Sequence, residues 1–237
     1  MHITYNGVTN TEVGAELVGI DIPSRAGQQA ETLTIPGRVS PLLRIYPQRD
    51  AYSITVTLRI LYNEDLSTVY NWLSGSGRLV FSDTPDRYYN VSACARISSK
   101  RIGAANTIRE IKIKLTCAPF AYAIANDPVE LTSSPAQLQT IGTMYSEPLI
   151  ELTGTGDVTL TVNGVTLEIK DVSGTVFIDV HTCQVYKLEY GAKTSILSAT
   201  TGWIEQMVLV PDTEAVNVIS WTGDVSGVKI TKNERWQ

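Results

Sequence analysis

The sequence predicts a mainly β protein with one helix, and three observations carry that reading. Apolar and polar residues alternate at period two through most of the chain. A single short segment switches to the helical spacing instead. In the second half, Asn163-Gly164 separates two alternating runs, the signature of a tight antiparallel hairpin.

In chain order, Ile22 to Gln48 is poorly periodic and holds Pro23, Pro36, Pro41, Pro47, Gly27 and Gly37. It reads as an extended arm or, equally, as a long surface loop of one domain. From Tyr52 to Tyr62 the even positions Tyr52, Ile54, Val56, Leu58, Ile60 and Tyr62 are apolar around Ser53, Thr55, Thr57 and Arg59, a half-buried strand. The helix follows. Asn63 is suited to cap it, Glu64 and Asp65 to its positive end, and Leu66, Val69, Tyr70 and Leu73 form its apolar stripe before Gly75 stops it. Ser74-Gly75-Ser76-Gly77 lacks the spacing of a phosphate loop and reads as a connector.

The passage from Ser82 to Val91, SDTPDRYYNV, has the mixture of residues that active-site loops often carry. Thr84-Pro85-Asp86-Arg87 nevertheless fits a turn with proline at its second position, where φ is already suitable. With Leu79 and Phe81 before it and Tyr89 and Val91 after it, the passage reads as a hairpin corner with Tyr89 turned inward. Ile111, Ile113, Leu115 and Cys117 alternate with Glu110, Lys112, Lys114 and Thr116 in another strand.

Between Pro119 and Pro148 the chain becomes rich in turn residues, which predicts a first domain over 1-125, a linker over 126-147 and a second domain over 148-237. In the second domain Val158, Leu160 and Val162 lead into Asn163-Gly164, and Val165, Leu167 and Ile169 lead away. Val176-Ile178-Val180, Gln184 to Lys187 and Val216 to Trp221 supply further short strands, hence an antiparallel sandwich.

Composition narrows the function. The chain has 237 residues, 43% hydrophobic and 18% charged, a net charge of -5 and a pI of about 5.1. That balance supplies no basic field for phosphates, so nucleic-acid binding is not expected. Neither is a membrane role, because no apolar run approaches a bilayer span and Met1 to Asn6 lacks the features of a signal peptide. Folding in a cytosol follows as the expectation. Cys94, Cys117 and Cys183 are three and far apart, unlike a disulfide framework or a zinc site. His181 lies in strand-like sequence without a nucleophile motif and reads as a surface histidine, and no pair among the 24 acids stands out. The expectation is a protein that is not an enzyme, with no cofactor and no metal.

The order of several segments carries a family resemblance. Ile35-Pro36-Gly37-Arg38, a strand, a helix ending Asn71-Trp72-Leu73, and then Leu79 to Tyr89 together resemble the N-terminal domain of phage distal tail proteins. These are the Dit-like components of long-tailed phages and prophages. Cys117 to Tyr122 is similar to the segment that closes that domain. Asn163-Gly164, Ile178-Asp179 before Val185-Tyr186, and Asn217 to Gly223 before Arg235-Trp236 resemble the family's galectin-like C-terminal β-sandwich.

The resemblance implies a structural virion protein at the distal end of the tail, assembled in host cytoplasm into a ring, generally a hexamer. It also implies tail tube and tail-tip or receptor-binding proteins as partners, with N-terminal domains forming the ring and channel and C-terminal domains projecting outward. Arg38, Arg44 and Arg49 in the arm, and Arg87 at the hairpin corner, are the candidate subunit-interface residues, with solvated arginines as the simpler reading. The alternative function is a carbohydrate-binding β-sandwich without catalysis. It would use an exposed aromatic, Trp203, while Trp221 sits in an apolar strand and reads as core.

Overall fold

The computed structural model describes residues 1-22, 27-37, 39-61, 66-102 and 108-237. It divides into two compact units, Met1–Ile124 with Gln237, and Ala125–Trp236.

The first unit is built on β1 (Ile3–Tyr5), β2 (Val8–Thr9), β3 (Ala15–Asp21), β6 (Tyr52–Ile60), β7 (Gly77–Phe81), β8 (Arg87–Ile102) and β9 (Ile108–Ala123). They lie in one antiparallel sheet in the order β2-β1-β7-β8-β9-β6-β3. Alternation decides which face is buried: Ile54, Val56, Leu58 and Ile60 of β6 join Ile111, Ile113, Leu115 and Cys117 of β9 in one core. Register places them side by side, with Ile54 opposite Leu115 and Val56 opposite Ile113. Burial pushes the Cys117 thiol up to about 11, which keeps it a protonated, inert core group.

Helix α1 (Leu66–Trp72) covers this core with Val69, Leu73 just past its end joins the same core, and Gly75 at φ +79° ends the turn that follows. Its Trp72 indole N–H donates to the carbonyls of Tyr5 and Val8 at 3.3 and 3.2 Å, and the Tyr5 hydroxyl returns to the Gly75 carbonyl at 2.9 Å. Tyr62 and the expected capping residues Asn63, Glu64 and Asp65 lie outside the described residues.

Ser82 to Asp86 forms the corner between β7 and β8, with Leu79 opposite Tyr89. The Tyr89 ring packs edge-on against Phe81, centroids 5.2 Å apart, at the margin of the core. Tyr89→Ala is expected to lower stability by about 2–3 kcal/mol, a little under the usual cost of a buried aromatic because the residue is only partly buried. A melting temperature equal to wild type would refute the packing assignment.

The second unit is one eight-stranded antiparallel sheet. β10 (Val129–Leu131), β17 (Asn217–Thr231), β12 (Leu149–Val162), β13 (Val165–Asp179), β14 (Gln184–Glu189) and β15 (Ala192–Ser195) follow one another across it. β11 (Ala136–Leu138) adds to β17 and β16 (Thr200–Gly202) to β13. Asn163-Gly164, at φ 51° and 85°, makes the two-residue turn with Val162 opposite Val165. Three strands are long, and they break register at neighbouring levels: β12 against β13 between Gly156 and Val158, and β12 against β17 between Thr155 and Thr159, with a further break between Thr153 and Gly154. Beyond that line the same strands continue, so the sheet folds over and both halves enclose a single core. Ile150, Leu152, Val176 and Ile178 come from one half, and Leu160, Val162, Leu167 and Ile219 from the other.

The stretch 126-147 differs from the linker the sequence suggested. Val129–Leu131 pairs with Val228 to Ile230 and Ala136–Leu138 with Asn217 to Ile219, while Leu131 and Leu138 are buried in the second core. Each strand is too short for alternation to reveal, and Ser133-Ser134-Pro135 between them imitates a connector.

Candidate assembly surface

Two strands belong to neither large sheet. β4 (Gln28–Leu33) and β5 (Leu42–Arg49) pair only with each other, with Leu33 opposite Leu42, Glu31 opposite Arg44 and Gln28 opposite Arg49. The alternative between arm and loop thus resolves as a two-stranded hairpin spanning most of the segment from Ile22 to Gln48. An isolated hairpin of this kind is marginal in water.

One side of the hairpin satisfies itself. The Tyr46 hydroxyl donates to Glu31 Oε2 at 2.6 Å, and the Arg44 guanidinium stands 5.0 Å from the Tyr46 ring centroid. That bond to a carboxylate holds the Tyr46 hydroxyl protonated above its ordinary range. The other side carries Leu43 and Ile45, 59% and 58% exposed, and Leu42, Ile35 and Val39 are exposed as well. Among the described residues this strand pair joins neither core and carries exposed apolar side chains on both faces, a candidate contact surface.

The three candidate arginines among the described residues have separate surroundings. Arg44 is spent within the hairpin, and Arg49 is partly buried without an ion-pair partner among the described residues. Arg87 binds its neighbour Asp86 at 2.9 and 3.2 Å, which holds the Asp86 carboxyl below its usual range. Arg38 lies outside the described residues. Sequence reasoning looked to these charges and passed over Leu42, Leu43 and Ile45. The available signal was an apolar run of both parities, which a strand with one buried face does not need.

Elsewhere, Trp203 is 66% exposed beside the short 3-10 turn Ile204–Gln206, without an aromatic partner among the described residues. Trp221 packs half-buried against the second core. His181 is a surface residue with Nδ1 2.6 Å from Glu147 Oε2, and Arg235 holds the other oxygen of that carboxylate at 3.1 Å. Among the described residues there is no cluster of metal-ligating side chains, and no helix is long and apolar enough to cross a membrane.

Comparison with solved structures finds the crystal structure of the Dit protein of phage SPP1, described as a paradigm of the hub adsorption apparatus in phages that infect Gram-positive bacteria. The TM-score is 0.77 at 14% sequence identity, covering 100% of this chain and 99% of the SPP1 chain. The chain shares the Dit fold from end to end. At that identity the likeness resides in the path of the backbone, so the resemblance read from the sequence holds for the fold. No protein-family model matches the sequence, and no curated protein matches it either. Among the described residues, no side chain of the β4–β5 hairpin joins either buried core.

Proposed function

We propose that the protein is a structural component of a phage or prophage virion. In this reading it is a distal tail, or baseplate hub, subunit that forms a ring joining the tail tube to the tail-tip and host-recognition proteins. The observation that carries the reading is the Dit fold over the full chain, since the SPP1 protein is described as part of a hub adsorption apparatus. In this proposal residues 1-125 form the ring, six subunits to a ring, and the galectin-like sandwich in the second half projects from it. The β4–β5 hairpin is the arm that reaches the next subunit, because closing a ring requires head-to-tail contacts and the hairpin offers an uncovered apolar surface. No catalysis and no cofactor are involved, and the ring assembles in the host cytoplasm before joining the virion.

The test is assembly. Multi-angle light scattering over a concentration series, with negative-stain electron microscopy, is expected to show a closed ring of six copies. A protein that stays monomeric at every concentration, also when mixed with a tail-tip partner, would rule the hub reading out.

A further inference from the structure

Two depressions meet in the second unit, where β17 is left uncovered between β10 and β11. One, of about 320 Å³, is lined by Glu130, Thr132, Ser133, Trp221 and Ser226 among others. The other, of about 300 Å³, is lined by Glu151, Thr153, Thr175 and Lys229, and both share Glu130, Ser226 and Gly227. Each is at the lower end of the size range of small-ligand sites.

The local backbone explains the groove. β12 and β17 change register between Thr153 and Gly154, so Ser226 is extruded and its hydroxyl donates to the Thr153 carbonyl at 3.2 Å. Gly227, opposite Thr153, contributes no side chain, and a Cβ built there meets no atom within 4 Å. Lys229 lies directly between Glu130 of β10 and Glu151 of β12.

Ser134, Thr153, Thr175 and Ser226 spend their hydroxyls within the chain, and the rest of the polar lining is unspent. Among the described residues the side chains of Glu130, Thr132, Ser133, Glu151 and Lys229 have no hydrogen bond or ion pair within the chain, and the Trp221 indole N–H has no partner. Two carboxylates disfavour an anion, and the scarcity of apolar side chains disfavours a greasy ligand. An aromatic wall beside carboxylates, hydroxyls and an ammonium matches a ligand with apolar C–H faces and many hydroxyls. Carboxylates accept from such hydroxyls in charge-assisted bonds.

We propose that this groove binds carbohydrate, a neutral oligosaccharide whose ring rests against Trp221 and whose hydroxyls are held by Glu130, Glu151 and Lys229. The site is distinct from Trp203, and it does not depend on the ring proposed above.

The experiment uses the full chain on an array of defined neutral oligosaccharides of hexoses and N-acetylhexosamines, followed by titration of bound sugars. At least one is expected to bind. Gly227→Gln fills the open floor of the groove, and Glu130→Gln changes only an exposed edge residue. With unchanged melting curves, Gly227→Gln should weaken binding at least tenfold and Glu130→Gln at least threefold, while Trp203→Ala leaves it unchanged. The proposal is overturned if no sugar on the array binds, if both groove variants bind as wild type, or if Trp203→Ala removes the binding.

Discussion

Under the ring assembly proposed above, replacing Leu43 and Ile45 together by aspartate is expected to abolish assembly while leaving the melting temperature of the chain almost unchanged. Both side chains stand on an exposed strand pair outside the two cores, so nothing in the folded chain is lost when they become charged. Assembly is another matter. Each is already about 40% covered, so a neighbour removes only part of the full side-chain area from water. Taking the lower end of the usual range gives about 1.5 kcal/mol each, or about 3 kcal/mol per interface. That is about two orders of magnitude in association at every contact of the ring, and burying two aspartates instead adds a desolvation penalty. Light scattering at the concentration where wild type is fully assembled should report a monomer. Rings formed by the double variant at that concentration would remove the hairpin from the interface.

A second large effect belongs to Gly223→Ala. Gly223 has φ +99°, and a Cβ there would sit 2.5 Å from the carbonyl oxygen of Asp157, a backbone atom with no rotamer by which to withdraw. Gly164 is the control: its φ is +85° but a Cβ meets open space. Gly164→Ala should cost only the left-handed backbone penalty, about 1–2 kcal/mol. Gly223→Ala adds a backbone collision at the fold line of the sheet, for a total of about 3 kcal/mol or more. In a unit of this size that corresponds to a melting temperature lower by about 10 °C or more. Calorimetry of the two variants side by side decides it, and equal losses would mean that β12 and β17 do not approach as closely as described.

The elements that were legible in the sequence are those whose periodicity reports burial on one face. β6 and β9 alternate because one face meets the first core, and Asn163-Gly164 fixes its hairpin through backbone geometry alone. The β4–β5 hairpin resisted reading because it buries neither face, so no alternation was imposed on it. Val129–Leu131 and Ala136–Leu138 escaped because each contributes one buried leucine to a distant strand, a relation that sequence proximity does not record. For the candidate assembly surface, arginines were visible as charges, but their use was not. Arg44 and Arg87 are engaged by Tyr46 and Asp86 close by, whereas the exposed Leu43 and Ile45 gain meaning only once the absence of a core beneath them is seen.

The fold line in the second unit bears on how that unit would resist shear between its layers. Where two separate sheets are pressed together, shear is resisted by side-chain contacts, and one layer can creep past the other. Here β12, β13 and β17 run through the register breaks from one layer into the next. Displacing the layers therefore puts three backbones in tension at once, and covalent chain bears a load that packing alone would otherwise have to hold.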